Sequence, residues 1–582
     1  MSNIKIRRPQ LTETFGIGSI FDAPGMSLMI SETGWDSSKL MEIEEPRLVR
    51  RLKVERLLTP VACDDDFKTS PSVPARRFPA WAYCPNCKSL KKLSDFGPIQ
   101  SVKKCPTKDC NGQQLLPSRV VVACPAGHID DFPWFRWAHT SKTCTIPEGK
   151  GKLTLVSTNS STSFADMRVS CQCGASRDLG EVLMPAALSS VGMNNCQGGT
   201  PWRVGGEKEE CGHTVKVLQR GATNVYFPIR QSAVSIPPYS GHMHIVANTL
   251  WNMFKALDPD SDLWKMNVAH LAPIHNLTPN ELSEALNKKR AEVAGLDGDE
   301  DVKLDEFEAL SRPPKSGSFR DQFLAEPVKN LPQGHSKWLK SVTLVKRLRM
   351  VTAQIGFSRI EYPLDDKLIR DLKLEADGKK WLPANEVRGE GIFLELDPVH
   401  MSEWLAKNKE ALGVRLSHVL HKASGSRIIQ RTELPATAQV IVLHTLSHML
   451  INELAMESGY SASSIRERIY CLEGTEKGRQ RLGLLIYTSS SDSEGSLGGL
   501  VRQGSPERLA GLLDKAFEAA KWCSNDPLCS ETSPEQGQGT DGMNIAACHC
   551  CSLLPETSCE LFNALLDRTL LTGGNGITAF IS

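Results

Sequence analysis

Residues 544–560 read NIAACHCCSLLPETSCE, with Cys548, Cys550, Cys551 and Cys559 close together and Cys523 and Cys529 a short way upstream. Thiols grouped in this way can ligate a metal, close a disulfide or supply a nucleophile. Cys548-x2-Cys551 is a tight knuckle that aims its first and last side chains at one point, and Cys523-x5-Cys529 supplies a second pair. Two such pairs meet the needs of a four-thiolate zinc site. Four protein ligands leave no position for water, so the site would staple the fold and not hydrolyse a substrate. Cys550 is left over between two ligands. Cys559 is the rival ligand, placed to replace Cys523 or Cys529.

The same logic recurs upstream. Cys84-Pro-Asn-Cys87 is followed by Cys105-x4-Cys110, the paired knuckles of a zinc ribbon. A looser constellation comprises Cys171, Cys173, Cys196 and Cys211, with Cys124, His128, His139 and Cys144 as competing ligands nearby. Two or three structural Zn2+ ions are therefore expected. The chain has 18 cysteines, and its opening, MSNIKIRRPQLTETFGIG, lacks the apolar core of a secretory leader. No apolar run approaches the roughly 18 residues of a membrane span. These features predict a cytoplasmic protein, in which reduced thiols favour metal over disulfides.

Other residues offer chemistry with a blander reading beside it. His444 and His448 lie one turn apart on a strongly apolar helix, and Glu453 or Glu457 could add a carboxylate. A zincin needs glutamate where Thr445 stands, so a buried polar pair is preferred over a metal-dependent nuclease or hydrolase. DGDEDVKLDEFE (297–308) approaches a calcium loop, but Val302 occupies the position that needs glycine, so a solvated acidic connector is expected. Lys346, Arg347 and Arg349 fall on a predicted basic helix over 342–360 and are the candidates for phosphate contact. The aromatics of CPAGHIDDFPWFRWAH (124–139) could stack bases, but a place in the core of a small zinc-stabilised domain is the preferred reading. No G-x-x-x-x-G-K-[ST] phrase occurs, so the chain is not expected to hydrolyse ATP.

Elements must position these groups. Helices are predicted over 244–258, over 436–457 up to Gly459, and from Ser505-Pro506-Glu507 to Trp522. Strands are predicted at 391–396 and 482–487. At 582 residues the chain exceeds one core, and its cysteines leave 212–470 empty. The segments expected are 1–80, a cysteine-rich zinc-binding region 81–235, a mainly helical 236–340, a mixed α/β 341–435, and a C-terminal domain 436–582. The net charge of +1 gives no global field, so any nucleic-acid surface must be local.

Several longer phrases are distinctive: RRPQLTETFGIGSIFD (7–22), RRFPAWAYCPNC (76–87), SRVVVACPAGHIDDFPW (118–134), LQRGATNVYFP (218–228), EVRGEGIFLEL (386–396), HTLSHMLINELAMESGYSASSIRERIY (444–470) and AACHCCSLLPETSCE (546–560). Through them the chain resembles the DrmB-like subunits of DISARM, a bacterial anti-phage system. Its C-terminal part is also similar to a helicase-associated domain in which a strand, a glycine-rich loop (here EGSLGGL, 494–500) and a helix precede four metal-binding cysteines. The resemblance implies a non-catalytic, DNA-engaging subunit that partners the helicase-like ATPase DrmA. A protein-only scaffold is a further alternative. The fold class expected is multidomain α+β: an N-terminal zinc-ribbon region, a mixed helical middle, and an α/β helicase-associated domain carrying a four-cysteine zinc site.

Overall fold

A computed structural model of the chain describes residues 6–581 apart from 62–72, 99–103, 141–143, 145, 147–151, 158–162, 186, 206–207, 237–241, 276, 294–301, 314–321, 363–365, 427–428, 431, 474–479 and 489–498. The apolar stretch around His444 folds as the helix Ala438–Ser458, capped by Thr437, whose hydroxyl accepts from the Val440 N–H, and closed by Gly459 at φ 74°. Only a residue without a Cβ takes that left-handed position freely. The helix is buried on all sides from Val440 to Ile451, as its near-continuous apolar sequence requires. The helix Pro506–Ala520 packs on it through Leu509, Leu512, Leu513, Ala516 and Phe517, at helical spacing. The predicted strands fall within Lys379–Leu396 and Arg481–Thr488.

The chain forms two compact units, each assembled from three stretches: 1–43, 54–231 and 352–385 in the first, and 44–53, 232–351 and 386–582 in the second. The first unit holds small antiparallel sheets. In one, Val120–Ala123 lies between Ile129–Asp131 and Lys216–Gln219. Another has six strands, in the order Ser176–Asp178, Met167–Cys171, Leu153–Ser157, Ser89–Lys92, Trp81–Tyr83 and Leu116–Pro117. Phe132 packs edge-on against Trp134 and Trp137 in this unit's core, with centroids 4.8 and 5.4 Å apart. These rings are packing residues and not base-stacking platforms. The buried guanidinium of Arg359 donates to the carbonyls of Gly127, Val225 and Gly18 at 2.8, 2.7 and 2.7 Å, tying three distant loops together.

In the second unit, Arg481–Thr488 pairs antiparallel with Ile465–Leu472 on one side and with residues 391–395 on the other. The predicted basic helix over 342–360 is instead part of the strand Leu339–Ser358. Val342, Thr343, Val345, Val351 and Thr352 are β-branched, which disfavours a helix and suits a pleated surface. The strand pairs with Leu324–Pro327, an alignment that helical spacing in the sequence could not anticipate. Lys346 and Arg347 are exposed there, and Lys346 meets Glu326 at 2.5 Å. Arg349 is buried, donating to Glu386 at 2.7 Å and to the Glu44 carbonyl and Ser235 hydroxyl at 2.9 Å each. It supports the fold and has no free donor face for phosphate.

The acidic connector is likewise only partly that. Residues 297–301 lie outside the described residues, while Val302–Ser311 is a helix with Lys303, Glu306, Phe307 and Leu310 buried. A calcium loop is thereby excluded, because its later positions are helical. Glu306 receives Arg468 Nε at 2.5 Å and Nη2 at 3.0 Å, the Tyr470 hydroxyl at 3.1 Å and the Val234 N–H at 2.8 Å. Lys303 donates to Glu560 at 2.7 Å and to the Ile469 carbonyl at 3.1 Å. Composition reads these charges as solvated because their charged partners lie over 150 residues away in sequence: Glu306 and Arg468 are 162 apart, Lys303 and Glu560 257.

Glu306→Ala removes the counter-charge of a buried guanidinium and is expected to cost about 3–5 kcal/mol. A lowered urea midpoint for the second unit checks this, and a Glu306→Met/Arg468→Met pair should recover most of the loss.

Candidate metal centres

In the second unit, the helix Pro506–Ala520 delivers Cys523 directly after its C-terminus, and the Cys548–Cys551 turn faces it. Sγ atoms stand 3.5 Å apart for Cys523 and Cys548, 3.8 Å for Cys529 and Cys551, and 3.9 Å for Cys548 and Cys551. Sulfurs bound tetrahedrally at about 2.3 Å from a zinc are about 3.8 Å apart. A disulfide would need about 2.05 Å. The donor set therefore fits zinc. The long Cys523-x5-Cys529 knuckle is held by Asp526, whose carboxylate accepts from the Cys523 N–H at 2.7 Å, the Ser530 N–H at 3.0 Å and Arg568 at 2.5 Å. Backbone N–H groups of Asn525 and Cys548 donate to Cys523 and Cys551 sulfurs at 3.4 and 3.3 Å, which favours thiolate. Cys550 is exposed and outside the cluster.

Among the described residues, three more clusters lie in the first unit. Cys84 and Cys87 sit on the turn between the strands Trp81–Tyr83 and Ser89–Lys92, and Lys88 follows at φ 60°. Cys105 and Cys110 sit on a second loop, where Asn111 follows at φ 49°. Left-handed residues after each pair turn both thiols of a knuckle to the same side. Sulfur separations of 3.7 Å (Cys84 to Cys110) and 3.8 Å (Cys87 to Cys105) again match a tetrahedral thiolate site.

The looser constellation divides. Cys124 and His128 flank a turn at Gly127, φ 82°, where a Cβ would stand 2.5 Å from Arg370 Cγ. They join Cys196 and Cys211, with Cys124 Sγ 3.9 Å from Cys211 Sγ and 3.5 Å from His128 Nδ1. Glu209 lies 3.1 Å from His128 Nε2 and orients the ring, as carboxylates do behind metal-bound histidines. Cys171 and Cys173 instead join His139 and Cys144. His139 Nδ1 is 2.6 Å from the Phe135 carbonyl, which leaves Nε2 facing Cys173 Sγ at 3.2 Å. The Cys173 thiol falls to about 6, because the Ala175 N–H hydrogen bond outweighs its desolvation and His139 adds to the effect. The grouping of Cys171 and Cys173 with Cys196 and Cys211 is therefore corrected. Cys171 ends a strand of the six-stranded sheet, whereas Cys196 bonds through its N–H to the His213 carbonyl in a separate loop pair. The histidines were visible in C-P-A-G-H and in the Phe135–His139 turn, but nothing in the spacing said which cysteines they face.

Cys559 does not compete for the C-terminal thiolate site. It lies with His444, His448 and Glu467, all buried. Glu453 and Glu457 are not part of that group, and Glu457 pairs with Lys515. Burial opposes ionisation of Glu467, but His444 and His448 beside it outweigh this and hold the carboxylate well below its usual range.

Residues 7–227 match a domain of unknown function (DUF8724), and residues 446–552 match the MrfA Zn-binding domain, a span that contains Cys523, Cys529, Cys548 and Cys551. A solved structure titled as the DUF1998 helicase MrfA bound to DNA aligns with 39% of this chain and 23% of its own length, at 13% identity and a TM-score of 0.19. That likeness is too slight to carry an argument. The DISARM protein DrmB of Bacillus paralicheniformis is 34% identical over 540 residues, which cover 87% of this chain and 91% of that protein. By that extent and identity, the chain belongs to the DrmB family.

Proposed function

We propose that this chain is a non-catalytic, zinc-stapled subunit of a bacterial anti-phage complex, which docks a helicase-like ATPase of the DrmA type and engages DNA beside it. The observation that carries the reading is the near full-length match to a DISARM protein. The four cysteine-rich clusters support it: each supplies four protein ligands and so favours structure over chemistry. Zn2+ in them would be held by Cys84, Cys87, Cys105 and Cys110; by Cys124, His128, Cys196 and Cys211; by His139, Cys144, Cys171 and Cys173; and by Cys523, Cys529, Cys548 and Cys551. The metal supplies folding energy by cross-linking loops that have little core of their own. DNA contact would be phosphate-directed and local, with exposed Lys346 and Arg347 as candidates and Arg349 withdrawn.

The rival reading, a metal-dependent hydrolase built on His444 and His448, needs an open coordination position and a path for substrate. Both side chains are fully buried, which weighs against it. A cleavage activity lost on His444→Ala in a folded protein would favour the rival.

Affinity purification from the native host is expected to recover a large helicase at near-equal stoichiometry; recovery of the chain alone would sink the subunit reading. DNA affinity of that complex should fall tenfold or more between about 50 and 200 mM salt, as several phosphate contacts require. For the metals, Cys171→Ser and Cys196→Ser should each remove one zinc per chain by elemental analysis, and the double variant two. A double variant that lost only one would mean that both cysteines serve a single ion.

A further inference from the structure

We propose that His444, His448, Glu467 and Cys559 hold one more metal ion, a closed zinc site in the core of the second unit. His444 Nε2 lies 3.1 Å from Cys559 Sγ and 3.2 Å from Glu467 Oε1, and His448 Nε2 lies 3.7 Å from the same carboxylate oxygen. All four donor atoms fall within 4.8 Å of one another. Ligands at about 2.0–2.3 Å from a tetrahedral zinc are separated by roughly 3.3–3.8 Å, so a modest adjustment accommodates the ion.

The surroundings are built for a cation. His444 Nδ1 is 3.2 Å from the Leu565 carbonyl, and His448 Nδ1 is 2.8 Å from the Ser552 carbonyl. A carbonyl can only accept, so each ring carries its proton on Nδ1 and turns Nε2 inward. A neutral ring in this tautomer presents a lone pair there, the arrangement found behind metal-bound histidines. Among the described residues His448 Nε2 has no hydrogen-bond partner despite its complete burial, which is costly for a polar atom unless something binds it. Glu467 is also oriented from behind, accepting from the Ser447 hydroxyl and from the Glu560 N–H at 2.8 Å. The Asn563 N–H points at Cys559 Sγ at 3.1 Å, as it would toward a thiolate.

Charge decides between this reading and a metal-free one. Two neutral imidazoles, one carboxylate and one thiolate carry two negative charges, which a divalent ion cancels where all four side chains are buried. Without the ion, the buried carboxylate of Glu467 has only the two rings beside it as counter-groups. The ligand set of two nitrogens, one oxygen and one sulfur suits zinc. With no exposed face, the site is structural: it pins the helix Ala438–Ser458 to the strand Ile465–Leu472 and to the segment after the Cys548–Cys551 turn. Ser552 joins it to the neighbouring thiolate site, since its carbonyl faces His448 and its hydroxyl is 3.2 Å from Cys551 Sγ.

The test is anomalous diffraction from crystals of the full chain, recorded at the iron and zinc edges, with elemental analysis of variants beside it. A zinc peak within about 2.5 Å of His448 Nε2 is expected. Cys559→Ser should lower zinc content by one ion per chain, while Cys550→Ser should leave it unchanged. If Cys559→Ser does not fold, the diffraction measurement on the unaltered chain still decides. Peaks at the cysteine-rich clusters with none between His444 and Glu467 would overturn the site, as would wild-type zinc content in folded Cys559→Ser. Because the peaks are located one by one, emptiness here is distinguishable from emptiness of the other clusters.

Discussion

A charge can be buried only where something of opposite sign or a fan of dipoles meets it, at a cost of several kcal/mol for each failure. This chain is organised around that constraint. In the second unit Glu306 faces Arg468, Lys303 faces Glu560, and Arg415 grips Asp567 through two bonds of 2.6 and 3.0 Å. In the first unit Arg359 is met by three carbonyls. Each pairing joins residues far apart in sequence, so each specifies which distant segments must come together. Apolar packing alone is more tolerant of such exchange.

The thiol clusters extend the same principle. Four sulfurs, or three sulfurs with an imidazole, brought within van der Waals distance would repel as thiolates and pack poorly as thiols, and a dication resolves both problems. The clusters sit where regular structure is thin: between the short strands of the first unit, and in the irregular chain after Ala520 in the second. Loops of that kind expose backbone and bury little apolar surface, so cross-linking by a metal contributes where a core cannot.

The helix Ala438–Ser458 links these themes. Its apolar sides fill the core of the second unit, and its buried His444, Ser447 and His448 converge on Glu467, on Ser552 and on Cys559. Reading the two histidines as a polar pair was correct about their burial and incomplete about their company.

Local sequence determined a good deal. Pairs of cysteines with two to five residues between them marked the ribbon and the C-terminal cluster, because a knuckle is a local turn. Gly459 and Ser505-Pro506-Glu507 marked helix ends for the same reason, and GIFLEL and LGLLIY read as strands from their composition. What the tertiary structure alone decided were associations across long stretches of chain. Cys171 and Cys196 went to different clusters because one ends a strand of the six-stranded sheet and the other sits in a separate loop pair, and Cys559 left the cysteines for two histidines. Lys303 and Glu306 left solvent for partners over 150 residues away, and the residues from Leu339 to Ser358 became a strand because neighbouring strands were there to pair with them. Spacing encodes turns of a few residues; it is blind to which surfaces meet once the chain has folded back on itself.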